Sequence, residues 1–216
     1  AARTLRTACA PSRPALGARV QVVKRIPAGG GLGGGSADAA ATLRALNELW
    51  RLGKSPEALA ALGATVGSDV PAPVLAQHHR APVRMEGRGE RVRVLAPTGD
   101  GRPLVLVHPG VSSATAEVYA RCTPRTEPAA GPVNDLQAAA CALHPEIAFA
   151  LAALVAAGAA DVMMSGSGSV VYGFAADEPS ARSIADRLRA LGCTAWVSRL
   201  LHASHPLSKP TGERKP

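Results

Sequence analysis

Aromatic residues make up only 3% of this 216-residue chain, which leaves few platforms on which the bases of a single-stranded nucleic acid could stack. Cysteine is equally thin. The four present, Cys9, Cys122, Cys141 and Cys193, stand far apart with no C-x-x-C pair. That excludes a zinc ribbon or a dense disulfide framework and fits a reducing cytoplasm. The longest apolar run, Ile147 to Ala160, is mostly alanine and has 14 residues, against the roughly 20 that a membrane-crossing helix needs. A soluble protein without a membrane partner is expected. Acid is missing from the first 37 residues, which carry six Lys or Arg. Such openings resemble organelle transit peptides, but a helix at "AARTLRTACA" with Leu5 on one face, then a strand from Arg19 to Ile26, argues for a folded segment.

What is abundant is basic charge and glycine. The formal net charge is +8 with a pI near 10.0. It is scattered, with no basic run longer than two residues, so no nucleic-acid partner is expected; a polyanionic small substrate or a GC-rich coding sequence accounts for the balance. The histidines show no ligand spacing, and no metal ligand set is assigned.

Periodicity predicts mixed α and β. A helix is expected from about Ser36 to Leu52, capped by Ser36 and with Leu43, Leu46, Leu49 and Trp50 on an apolar stripe. Ser55 and Pro56 open another. Residues 72–103 read as irregular apart from a strand at "ERVRVLA". The strand "PLVLVH", a helix from His144, two strands around "GSG", a helix from Glu178 and a last strand "TAWVS" complete the pattern. The segment from 202 on is polar with three prolines and is expected to be a disordered tail.

The stretch from Gly29 to Gly35 holds six glycines in seven residues, between a predicted strand and a predicted helix. Bare backbone N–H groups ahead of a helix N-terminus suit an anion, above all phosphate, whereas a flexible linker would continue in polar company. Walker A fails because no Lys follows the glycines. Gly29, Gly31 and Gly34 satisfy G-x-G-x-x-G, yet the unit lacks the second strand and acid of a dinucleotide fold. The later motifs of protein kinases are absent too.

"PAGGGLGGGSADAA" resembles the P-x-x-x-G-L-G-S-S-A-A motif of the GHMP kinases. "GSDVP" at 67–71, "EGRGE" at 86–90, "HPGVSSATAEVY" at 108–119, "NDL" at 134–136 and "MSGSGSVVYGF" at 164–174 follow in the family's order. The triple glycine before Ser36, the preceding "KRIP" and the trailing "LRALNELW" are closest to the branch acting on a diphosphocytidyl methylerythritol. The similarity covers about residues 17–200.

The resemblance implies an α/β (α+β) two-domain fold: an incomplete ribosomal-protein-S5-like ATP-binding domain over 1–102 and a ferredoxin-like α/β sandwich over 103–201. It also implies transfer of a phosphoryl group from ATP, with Mg2+, to the 2-hydroxyl of that small-molecule substrate, in the bacterial cytoplasm or a plastid, as a step of non-mevalonate isoprenoid synthesis. Pro27, Ala28, Gly29, Gly30, Gly31, Leu32, Gly33, Gly34, Gly35, Ser36 and Ala37 would wrap the ATP phosphates, with the Ser36 hydroxyl a candidate contact for phosphate or Mg2+. Asp69 would be the catalytic base that accepts or orients the substrate hydroxyl. Ser165, Gly166, Ser167 and Gly168 match the family's late glycine motif. Thr115 and Tyr119 match positions facing the substrate, Tyr119 stacking on cytosine. For several of these a structural role is also open: a helix cap for Ser36, a turn for Asp69, a core ring for Tyr119. Lys24 is either a lining of the nucleotide site or a solvated lysine.

Two departures stand out. The family opens with a strand bearing a lysine and an asparagine, then a Tyr-His pair, and the present residues begin after both, so a fragment or a degenerate relative of weak activity is expected, with an open sheet edge. The segment "VPAPVLAQHHRAPVRMEGRGE" lacks the family's aromatic pair and reads as locally scrambled. Another small-molecule kinase of the family, a non-catalytic nucleotide-binding remnant and a basic RNA-contacting domain stay as alternatives. Oligomeric state is left open.

Overall fold

The computed structural model describes residues 1–9, 16–96, 101–127 and 129–200, so the expected tail lies outside the described residues. In the amino-terminal half, helices α1 (Ala2–Cys9), α2 (Gly34–Leu49), α3 (Pro56–Ala64) and α4 (Pro71–His79) precede a hairpin of β1 (Val83–Glu86) and β2 (Arg91–Val94). Leu5, Leu43, Leu46, Trp50, Leu59, Val70 and Val74 form one buried cluster among these helices. Leu5, Leu43 and Val74 are fully buried; truncating a Leu of this kind to Ala costs about 2–5 kcal/mol. Ser55 caps α3 as expected, accepting the Ala58 N–H at 3.2 Å.

The carboxy-terminal half is built on β3 (Pro103–His108), β4 (Ala160–Met164), β5 (Val171–Phe174) and β6 (Thr194–Arg199), in the order β4-β5-β3-β6 with every neighbouring pair antiparallel. Helices α7 (Pro145–Ala156) and α8 (Glu178–Ala190) connect β3 to β4 and β5 to β6 and pack on one face. This is the ferredoxin-like βαββαβ arrangement. β3 is buried along its whole length, which explains the unbroken apolar run "PLVLV": a central strand covered on both faces has no reason to alternate. One face carries the large core of Val105, Val107, Leu154, Val171 and Leu188. Against the other, Leu104, Leu106 and Val170 meet Ile26, Tyr172, Phe174 and Trp196. No single helix among the described residues is long and apolar enough to cross a membrane.

Four expectations need correction. Residues 19–26 form no strand: they belong to neither sheet, and Val20, Val22 and Val23 are exposed. A strand exists through its ladder, and among the described residues none pairs with this segment. Within 72–103, residues 72–79 are not irregular but belong to α4, because Pro71 and Pro73 fall in its first turn, where the missing N–H groups would have had no helical partner, and Val83–Glu86 forms β1 by pairing with β2. Between β3 and α7 lie two helices beyond the expected pattern, α5 (Thr115–Arg121) and α6 (Leu136–Leu143); the Pro145 that opens α7 separates it from α6. Leu49 is 65% exposed at the end of α2. The angular period of the helix takes it off the face that Leu43 and Leu46 bury.

Candidate active site

The glycine run divides into two halves with different surroundings. Gly29, Gly31 and Gly33 have φ of 85°, 75° and 62°, values that suit glycine. In the first half the backbone is pressed against the second glycine loop, which joins β4 to β5. The Gly30 carbonyl accepts from the Val170 N–H at 3.1 Å and the Gly31 carbonyl from the Ser165 hydroxyl at 3.0 Å. A Cβ on Gly31 would stand 2.1 Å from the Ser165 carbonyl oxygen, and one on Gly30 2.6 Å from Val170 Cγ2. Reciprocally, a Cβ on Gly166 would meet the Gly31 carbonyl at 2.9 Å.

The second half is open. A Cβ on Gly33 or Gly35 would meet nothing within 4 Å among the described residues. Gly33, in the left-handed conformation, is the residue before α2, and no side chain among the described residues caps the helix start. Among the described residues, the first-turn N–H groups therefore sit free of side-chain acceptors at the positive end of a 16-residue helix. Ser36 is thus not the cap: it is the third residue of the helix, because the glycines themselves supply the first turn. Lys24 reaches this end of α2. It ion-pairs with Asp38, and its Nζ lies 3.9 Å from where a Gly34 Cβ would be. Together the bare N–H groups, the Ser36 hydroxyl and Lys24 make a donor set that fits a polyphosphate.

The second loop is tied on its other side to α5. The Thr115 and Ser167 hydroxyls lie 2.9 Å apart, and Gly168 packs toward Ser113, whose hydroxyl is buried without a partner among the described residues. One turn along α5, Tyr119 is 62% exposed. It is therefore a surface ring and not a core residue, and it lines an open cleft with Ser165 and Gly166. Thr115, Ser165, Ser167 and Tyr119 are thus brought together with the first glycine half.

Asp69 sits apart, exposed in the turn that leads into α4 and accepting from the Ser68 hydroxyl at 3.2 Å. Among the described residues no cation pairs with it and no hydrogen bond ties it to either glycine loop. Its close neighbour is the hairpin turn: a Cβ on Gly89, at φ 108°, would come within 3.0 Å of Asp69 Oδ1. The sequence alone gives "EGRGE" no role. The role is close approach, which the glycine itself signals. Gln137, which accepts the Met164 N–H at 2.9 Å, is marked by no spacing rule in the sequence.

Burial pushes the Cys141 and Cys193 thiols above their ordinary range, so neither is primed as a nucleophile. No group of three or more His, Cys, Asp or Glu among the described residues could hold a metal by itself. A Mg2+ that arrives with polyphosphate needs only one or two protein ligands.

Comparisons with known proteins identify the family. Residues 1–77 match the family model described as GHMP kinases N terminal domain, and residues 126–209 the one described as GHMP kinases C terminal. The chain is 42% identical over 203 residues to a 4-diphosphocytidyl-2-C-methyl-D-erythritol kinase of Aromatoleum aromaticum, covering 89% of this chain and 67% of that protein. Its counterpart from Bifidobacterium longum subsp. infantis is 40% identical over 205 residues, covering 90% of this chain. The chain spans 62% of that relative's length. A crystal structure of a 4-(cytidine 5'-diphospho)-2C-methyl-D-erythritol kinase superposes with a TM-score of 0.70 at 35% identity, covering 82% of this chain and 68% of that one. A homoserine kinase from Cytophaga hutchinsonii, 17% identical with a TM-score of 0.62 and covering 82% of this chain and 69% of that one, shares the fold.

Proposed function

The chain belongs to the GHMP kinases, in the branch of the 4-diphosphocytidyl-2-C-methyl-D-erythritol kinases, and from that premise we propose that it phosphorylates the 2-hydroxyl of 4-diphosphocytidyl-2-C-methyl-D-erythritol with ATP. The observation that carries the reading is the division of the glycine run: one half locked against the second glycine loop, the other bare at the start of α2.

Phosphoryl transfer asks a protein mainly to position reactants and neutralise charge on the moving group. Gly33, Gly34 and Gly35 let the phosphates approach main-chain N–H groups without a side chain in the way. Ser36 adds a hydroxyl at the same end of α2, and Lys24 would add its positive charge by exchanging its Asp38 partner for phosphate. Mg2+, when bound with ATP, screens phosphate charge; the Ser36 hydroxyl and the phosphates would hold it. Asp69 accepts the proton of the attacking hydroxyl, and Gly89 lets the β1–β2 turn come up beside it. Tyr119 offers its exposed face to the cytosine, and Thr115 links that helix to the second loop. We assign residues 1–102 to the ATP-binding domain and 103–201 to its carboxy-terminal partner, acting in the cytoplasm.

One observation favours a second reading, nucleotide binding without turnover: no cation pairs with Asp69 among the described residues. Incubation with the diphosphocytidyl alcohol and γ-labelled ATP, alongside calorimetry with a non-hydrolysable ATP analogue, separates the two. Label in the alcohol supports the kinase. Analogue binding without label supports the second reading, and absence of binding refutes both.

A further inference from the structure

The "NDL" triplet at 134–136 is among the ordered motifs, and no step of the proposed transfer uses it. Asn134 lies just ahead of α6 and beside β4, an edge strand of the four-stranded sheet. Its Nδ2 donates to the Met164 and the Gly166 carbonyls, each at 2.8 Å, and its Oδ1 accepts the Leu136 N–H at 3.0 Å. A side-chain amide has two donors and one acceptor oxygen, so both donors are spent on the carbonyls that flank Ser165. The three bonds also fix which way the amide points, since the flipped form would set its oxygen against two carbonyls.

With Gln137 accepting the Met164 N–H at 2.9 Å, the two side chains stand in for a neighbouring strand along the free edge of β4. They do so where the chain leaves β4 for the second glycine loop. Ser165, between the clamped carbonyls, is the residue whose hydroxyl donates to Gly31.

We propose that Asn134 is a positioning residue for nucleotide binding: by holding the Met164 and Gly166 carbonyls it sets Ser165, and through Ser165 the Gly29–Gly31 half of the first glycine loop. The nucleotide part of this rests on the reading of the glycine run as the ATP site. Both Asn134 donors are engaged by backbone carbonyls, which leaves none for a phosphate. It acts through two backbone carbonyls and one hydroxyl.

The competing role is a cap for α6, and Asn134→Asp tells the two apart. The aspartate is isosteric and keeps an acceptor for the Leu136 N–H, so a pure cap works as well with Asp as with Asn. It loses both donors and turns a carboxylate toward two carbonyls, so a clamp fails. In nucleotide-free protein, Asn134→Asp is expected to speed amide hydrogen exchange about tenfold at residues 165–168 and 29–31 and leave 136–143 at the wild-type rate, with the affinity for a non-hydrolysable ATP analogue down by about tenfold. Asn134→Ser, whose hydroxyl can cap but cannot reach both carbonyls, gives the same pattern and serves if the aspartate variant does not fold. Wild-type exchange in both loops, or acceleration confined to α6, overturns the proposal. If the wild-type protein fails to bind the analogue, the nucleotide reading falls, and the exchange rates still decide whether Asn134 sets the loops.

Discussion

The Ser165 hydroxyl donates to the Gly31 carbonyl at 3.0 Å, across 134 residues of chain. That bond joins the two glycine loops, beside the open Gly33–Gly35 half where the phosphates are proposed to lie. It makes the glycines of one run unequal. Gly31→Ala must push a methyl into the Ser165 carbonyl at a positive φ, at an expected cost of about 1–3 kcal/mol. Thermal unfolding should show a lower Tm together with weaker binding of an ATP analogue.

Gly35→Ala is the contrasting case. It lies within α2 with nothing near its Cβ position, and helix propensity favours alanine there by up to about 1 kcal/mol. The variant is expected to melt at or above the wild-type temperature and yet bind the analogue more weakly, because the methyl occupies the approach to the helix N-terminus. Unchanged affinity would place the phosphates elsewhere.

Asp69→Asn keeps the shape of the turn and removes the base. Turnover should fall by about 10²–10⁴-fold, with analogue affinity within about twofold of wild type by calorimetry. Near-normal turnover would remove Asp69 from the chemistry. Gly89→Ala should move in the same direction but less far, by crowding Asp69 Oδ1.

Tyr119→Ala should act on the other substrate. Stacking of a base on an aromatic ring contributes about 1–3 kcal/mol, so KM for the diphosphocytidyl alcohol should rise by roughly tenfold while KM for ATP and the Tm hold. An equal rise in both KM values would mean that the ring supports the loop and not the base.

Acid should loosen the start of α8. Asp177 is held below the usual carboxylate range by the Ser180 side chain and then by its N–H, and Glu178 by its hydrogen bond from Arg199 and then by Arg182. Both folded-state values lie below those of the unfolded chain, near 3.9 for Asp and 4.3 for Glu. This contribution is therefore present in full above about pH 5 and is lost as pH falls through the lowered values. Melting curves followed by circular dichroism should be level between pH 7 and 5 and fall below about pH 4. Glu178→Gln should lie below wild type at pH 7 and close on it in acid.

Much of this architecture was legible in the residues. Leu5, Leu43 and Leu46 mark their helix faces by spacing, "PLVLV" marks a central strand, and ordered motifs mark the family. What escaped was set by context. The prolines of α4 read as breakers because a helix start and a loop use proline alike. Residues 19–26 read as a strand because alternation reports side chains and says nothing of a partner. In the site, the division of labour within the glycine run was invisible, since identical residues differ only in what lies opposite them. Gln137 acts through a single contact that no local pattern announces, and Gly89 through neighbours brought to it by the fold.

A joint built from main chain also limits how the protein can vary. Where two side chains meet, a larger one on one side can be offset by a smaller one on the other. Gly31 and the Ser165 carbonyl offer no such exchange, because every amino acid carries the same carbonyl. A genetic search for second-site suppressors of Gly31→Ala should therefore return changes that shift whole segments, in the hinges at either end of the loops, and none at residue 165 itself.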